Sequence, residues 1–210
     1  MVVACCFGMI EVVCVEAKDI QSAGLGPVTL AIDSGSCTGL TGPSGSGKTR
    51  LLRCLADLDC HEGDVSLNGA SRESFTPPEW RTQVGLLPAE SFWWSERVLD
   101  HFPYKQKPEL DSLDLSPVVF EQPLRQLSSG QRQRLALLRL LANQPKVLLL
   151  DEPTANLDQD NIMRVEALIA AYRNQHRCCV IWVTHDRAQL ERVADRSLTM
   201  ANGRLDGDSS

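Results

Sequence analysis

Two runs, VLLLD (Val147–Asp151) and VIWVT (Val180–Thr184), contain almost no polar residue. A strand with one face in water alternates apolar and polar residues. Continuous apolar runs of this length suit strands buried on both faces, as in a parallel sheet covered by helices. Helical periodicity lies between and around them, over Thr49–Leu58, Gln131–Ala142, Asn161–Tyr172 and Arg187–Ala194. In the third segment Ile162, Val165, Leu168, Ile169 and Tyr172 share one face. Further strands are expected at Ile10–Val15, Asp64–Leu67 and Gln83–Leu87. GDVSLNG alternates and ends in Asn68-Gly69, a hairpin turn signal. Strands alternating with helices predict an α/β fold with a mostly parallel sheet.

One domain is expected over 1–210, with core segments at 1–88 and 142–210 and an insert at 89–141. The stretch from Ala89 to Leu127 holds Pro103, Pro108, Pro117 and Pro123, so it should contain little helix. The tail GRLDGDSS is expected to fray. A net charge of −6 leaves no basic surface for nucleic acid. No apolar run approaches the roughly 18 residues that a membrane span needs. The N-terminal MVVACCFGMIEVVCVEA lacks a basic start and carries Glu11 and Glu16, so it reads as strands rather than a signal peptide. The eight cysteines include two adjacent pairs and no CxxC, which predicts buried free thiols in a reducing cytosol.

GPSGSGKT (Gly42–Thr49) fits G-x-x-x-x-G-K-[ST]. Average residue usage produces this pattern by accident in roughly one chain in a hundred of this length. Its glycines let backbone N–H groups turn inward around a phosphate chain, and the helix that follows points its N-terminal dipole there. The expected phosphate contacts are Gly42, Pro43, Ser44, Gly45, Ser46, Gly47, Lys48 and Thr49, with Lys48 on the β- and γ-phosphates and the Thr49 hydroxyl on Mg²⁺. VLLLDEPT places Asp151 at a strand end, where it can hold Mg²⁺, and Glu152 beside it, where it can polarise an attacking water. A phosphate chain and Mg²⁺ are therefore the expected ligands, and the loop alone does not choose among the machines and small-molecule kinases that share it. ATP is implied by the resemblance that the next segment carries.

LSSGQRQRLALLRLLA resembles the signature segment of the ATP-binding cassette (ABC) family, LSGGQ followed by a helix. Leu127, Ser128, Gly130 and Gln131 match, and Ser129 replaces the first of the two glycines. ANLD (Ala155–Asp158) is similar to the family's D-loop, and VTHD places His185 where the family has its switch histidine. The resemblance covers nearly the whole chain. It implies a P-loop NTPase (RecA-like) core with an antiparallel β subdomain and a short helical insert. It further implies Glu152 as catalytic base, with His185 and Lys48 beside the γ-phosphate. Ser128, Ser129, Gly130 and Gln131 would face the partner's nucleotide in a sandwich dimer, with Asp158 at the seam. A separate membrane permease would hold the cassette on the cytoplasmic face of the inner membrane. Compact length and the motifs around Asp151 and His185 look most like small stand-alone cassettes of a bacterial metal-export type.

The chain departs from the family at two places. Ala89, in VGLLPAESFWW, stands where the family usually has a glutamine; Glu90 is adjacent and could serve only with a shifted loop. No aromatic residue occurs between Phe7 and Phe75, although the family usually stacks adenine on one there. The missing glutamine keeps open a degenerate cassette that switches with ATP and hydrolyses it poorly. A soluble ABC ATPase of translation or DNA repair is a further alternative, although one cassette without a heptad arm fits it less well. Phe92, Trp93 and Trp94 are consecutive, and either line an exposed groove for a partner helix or pack the insert onto the core. Without a stacking ring, which contributes about 1–3 kcal/mol per base in nucleic-acid complexes, base discrimination should be weak. ATP and GTP should compete equally for the site in a displacement titration; a strong ATP preference would refute this.

Overall fold

The computed structural model describes residues 13–102 and 110–206. The chain runs β1 (Val13–Ser22), β2 (Leu25–Asp33), β3 (Cys37–Thr41), α1 (Lys48–Leu55), β4 (Glu62–Leu67), β5 (Ala70–Ser71), α2 (Pro77–Gln83), β6 (Val84–Leu87), α3 (Ser129–Leu141), β7 (Val147–Asp151), α4 (Gln159–His176), β8 (Cys179–Val183), α5 (Arg187–Val193), β9 (Arg196–Ala201) and β10 (Arg204–Asp206). Six strands form one sheet in the order β10-β9-β3-β8-β7-β6, parallel except for the β10 edge. Four strands, β2-β1-β4-β5, form a separate antiparallel sheet. The mostly parallel sheet with an antiparallel β unit matches the fold expected from the sequence.

Every residue of β7 and β8 is buried. Successive side chains on a strand point to opposite faces, and here each face has its own core. Val147, Leu149, Cys179, Ile181 and Val183 join β1, β2 and α1 on one side. Leu148, Leu150, Val180 and Trp182 join α3, α4 and the segment after β6 on the other. Two-sided burial is why the runs are apolar without alternation. Among the described residues Cys14, Cys37, Cys54, Cys178 and Cys179 are buried free thiols, and Cys60 is exposed and free. Burial pushes the Cys37 and Cys178 thiols up to about 12, so neither forms thiolate readily.

Several elements depart from the sequence reading. β1 extends from Val13 to Ser22, well past the expected end at Val15, while Ile10–Val12 of that expected strand lie outside the described residues. β2, β3, α2, β9 and β10 were not anticipated. β3 holds only five residues with a glycine at its centre, because a Cβ on Gly39 would stand 2.7 Å from the Leu190 side chain. α2 opens on Pro77 and Pro78, which at the first turn of a helix remove no hydrogen bond. Thr76 and Glu79 close a capping box there, with the Thr76 N–H and hydroxyl both donating to Glu79 Oε2 at 2.9 and 2.6 Å. Part of the tail is ordered rather than frayed: Arg204–Asp206 pairs with Thr199–Ala201, and residues 207–210 lie outside the described residues. Between β6 and α3 the described helical structure is 3₁₀ only, at Val98–His101, Asp111–Leu113, Pro117–Phe120 and Leu124–Gln126.

α2 seats Trp80, which is fully buried and donates its indole N–H to the Leu55 carbonyl at the end of α1, 2.9 Å away. This contact ties α2 to the helix that carries Lys48. Trp80→Ala should cost about 3–5 kcal/mol in chemical denaturation; a loss below about 1 kcal/mol would contradict the packing described.

Candidate nucleotide site

β3 delivers the loop 42–47 and α1 receives it. Gly42 has φ 142°, and a Cβ there would stand 2.1 Å from the Met200 carbonyl oxygen of β9. Only glycine lets the loop begin that close to the neighbouring strand. No side chain caps the N-terminus of α1, so its first N–H groups are left to the loop. Lys48 is 7 % exposed, and its ammonium donates to the Gly42 and Pro43 carbonyls at 2.8 and 2.9 Å, with Ser46 Oγ at 3.5 Å. The positive charge is thus held inside the loop, where an anion would meet it.

Asp151 is buried at the end of β7, and Thr49 donates its hydroxyl to Asp151 Oδ2 at 2.8 Å. Two hard oxygen groups side by side, facing a phosphate loop, fit Mg²⁺, which takes few protein ligands and completes its shell with phosphate and water. Glu152 follows with a left-handed backbone, φ 50°, and its N–H donates to the Val183 carbonyl of β8 at 3.1 Å. Its Oε1 has no hydrogen-bond partner and lies 3.5 Å from His185 Nε2. Burial holds the Glu152 carboxyl above the ordinary glutamate range; nearby Asp151 adds to this, while His185 and Lys48 work against it. Ser44 to Arg50, Asp151, Glu152, His185 and Ala89 line one cleft of about 550 Å³, together with Ala23, Gly24, Arg53, Asp59 and Val183.

A buried network that the sequence reading missed stands behind Glu152. Gln189 on α5 donates its amide to Thr154 Oγ1 and to Glu166 Oε1, both at 2.9 Å. Arg192 closes on Glu166 through its Nε and Nη2 at 3.1 and 2.8 Å. The network ties the segment after Glu152 to α4 and α5. Its signal in the sequence was Glu166, a charge directly after Val165 on the apolar face of α4; a carboxylate buried there requires partners.

The signature residues do not line this cleft. Ser128 caps α3, accepting from the Gln131 N–H at 3.1 Å while its own N–H donates to Gln131 Oε1 at 2.9 Å. Asp158 caps α4 in the same way through the Asn161 N–H at 2.9 Å. Ser129 instead lines a second cleft of about 350 Å³ with Glu90, Ser91, Gln133 and Asn156, and Ala89 borders both clefts. Glu90 is therefore absent from the first cleft. The three aromatics divide between the two alternatives. Trp93 packs against the core, while Phe92 and Trp94 are 80 % and 73 % exposed. The Arg139 guanidinium sits 4.4 Å from the Trp93 ring and 5.5 Å from that of Trp94.

The family model described as ABC transporter matches residues 25–155. The Bacillus subtilis protein YjkB is 36% identical over 189 residues, covering 85% of this chain and 76% of that protein. The maltose/maltodextrin import ATP-binding protein MalK of Vibrio parahaemolyticus is 34% identical; the match covers 84% of this chain but only 51% of MalK. The tungstate uptake system ATP-binding protein TupC of Peptoclostridium acidaminophilum is 29% identical, with 84% and 87% covered. The chain therefore spans about half of MalK and most of TupC. Among solved structures, the dimeric ATP-binding cassette MJ0796 bound to ADP and Pi superposes with a TM-score of 0.81 at 24% identity, covering 93% of this chain and 98% of that one. At that identity the superposition speaks for the fold alone.

The raised Glu152 carboxyl has a consequence for stability. A carboxyl whose folded pKa is raised favours folding while protonated, and that contribution is lost as pH rises through the folded value. Glu152→Gln should therefore raise the melting temperature more at pH 8 than at pH 5 by calorimetry. An equal shift at both pH values would show that burial does not raise this carboxyl.

Proposed function

The chain belongs to the ABC transporter family, whose ATP-binding cassettes hydrolyse ATP to power transport, and on that premise we propose that it works as a nucleotide-sandwich dimer beneath a separate membrane permease. The observation that carries this reading is the meeting of Lys48, Thr49, Asp151, Glu152 and His185 on one cleft, while the capped start of α3 at Ser128 stays outside it, exposed. A phosphate loop on one protomer and an exposed helix N-terminus on another are complementary. Ser128 to Gln131 would close over the triphosphate of the partner, with Asp158 at the seam between the protomers. Consistent with attachment through a partner, no helix among the described residues is long and apolar enough to cross a membrane.

The chemistry follows from the side chains. When a triphosphate enters, its oxygens replace the Gly42 and Pro43 carbonyls as acceptors for the Lys48 ammonium, which then offsets charge on the β- and γ-phosphates. Thr49 and Asp151 would hold Mg²⁺, which supplies further charge neutralisation at the phosphates. Glu152, with one carboxylate oxygen unpartnered, takes a proton from the attacking water as general base. His185, 57 % exposed and 3.5 Å from that oxygen, reaches toward the γ-phosphate and keeps the Glu152 carboxylate oriented. Exposed Phe92, on the wall of the second cleft, and exposed Trp94 present an apolar surface for a permease segment.

A second reading is favoured by Ala89. A methyl group borders the cleft where the family has a carboxamide to hold metal and water, so the dimer could close on ATP and turn it over slowly. Glu152→Gln separates the two. As an ATPase the protein should lose about 10²–10⁴-fold in turnover, and the variant should stay dimeric in ATP by light scattering. Indistinguishable turnover would leave the switch reading; a monomer with ATP bound and hydrolysis blocked would remove the sandwich.

A further inference from the structure

A nucleotide site must hold a base as well as phosphates, and no Phe, Trp or Tyr is among the described residues that line this cleft. The turn between β1 and β2 offers only Ala23 and Gly24, and Gly24 has φ +77°, a backbone that disfavours any larger residue. Apart from the His185 imidazole, which sits beside Glu152, the flat cationic groups on the cleft wall are the guanidinium groups of Arg50 and Arg53. Arg53 is engaged: its Nε and Nη2 donate to the two oxygens of Asp59 at 2.9 and 2.7 Å. Arg50 is exposed and makes no hydrogen bond or ion pair with any described residue. Its Nη1 lies 3.8 Å from where a Cβ on Gly24 would stand, so the side chain reaches across to the turn. It leaves α1 two residues after Lys48, on the same first turn whose start faces the phosphate loop.

We propose that Arg50 is the nucleobase platform of this site, its planar guanidinium stacking on the purine of the bound triphosphate. A guanidinium stacks on an aromatic face through both π contact and the attraction of a cation for the ring quadrupole. It reads the face of the base and not its edge, so adenine and guanine are held alike. The inference rests on the cleft being a nucleoside triphosphate site.

Isothermal titration of the wild type, Arg50→Ala and Arg50→Lys with AMP-PNP, GMP-PNP and inorganic tripolyphosphate tests it. Arg50→Ala should bind both nucleotides about tenfold more weakly, with Arg50→Lys between, while tripolyphosphate affinity stays within about twofold of the wild type. Retained tripolyphosphate binding also reports that the phosphate loop is intact. Unchanged nucleotide affinity in Arg50→Ala would overturn the proposal. An equal loss on tripolyphosphate would place Arg50 on the phosphates and overturn it as well. A wild type that binds none of the three would instead sink the nucleotide reading on which the proposal rests.

Discussion

Parallel pairing of β3, β8, β7 and β6 aligns their C-terminal ends, and the site depends on that alignment. Leu40 pairs with Val183, Asp151 with Val183, and Leu87 with Leu150. The loops that leave these ends are the ones that carry Gly42–Lys48, His185, Glu152 and Ala89. Groups far apart in sequence reach one cleft because four strands stop at the same edge, where ligands of open α/β sheets bind. Two-sided burial of β7 and β8 makes the alignment rigid: a slip of one residue would exchange the residues that face the two cores.

The cleft is electrostatically prepared for a charged ligand. An ammonium waits between carbonyls, a hydroxyl leans on a buried carboxylate, and a second carboxylate is partly desolvated with one oxygen unpartnered. The ammonium and the hydroxyl can exchange these partners for phosphate and metal, while the desolvation of Glu152 is relieved by water. The Thr154–Gln189–Glu166–Arg192 network keeps the segment after Glu152 from relaxing away from this geometry. The left-handed backbone at Glu152 is a further local cost that the surrounding packing sustains.

Most of the phosphate machinery was legible in the sequence because it is local. GPSGSGKT places backbone donors, lysine and threonine within one loop and one helical turn, and VLLLDE places two carboxylates at one strand end. Short elements were not legible. β3 is five residues long with a central glycine, and α2 hides behind two prolines whose position in the first turn, not their identity, decides their effect. The aromatic triplet illustrates the same limit, since half-burying Trp93 while exposing Phe92 and Trp94 depends on where α3 brings Arg139.

By itself the sequence determined the α/β alternation, the phosphate loop, the carboxylate pair and the capped start of the signature helix, because each rests on residues within a few positions of one another. Tertiary structure alone decided which of these share a cleft. It separated Ser128 and Asp158 from Lys48 and Glu152, excluded Glu90, and brought Arg50 against the turn at Gly24. The physical reason is that strand order and register, set by burial on both sheet faces, determine distances between segments that no local pattern encodes.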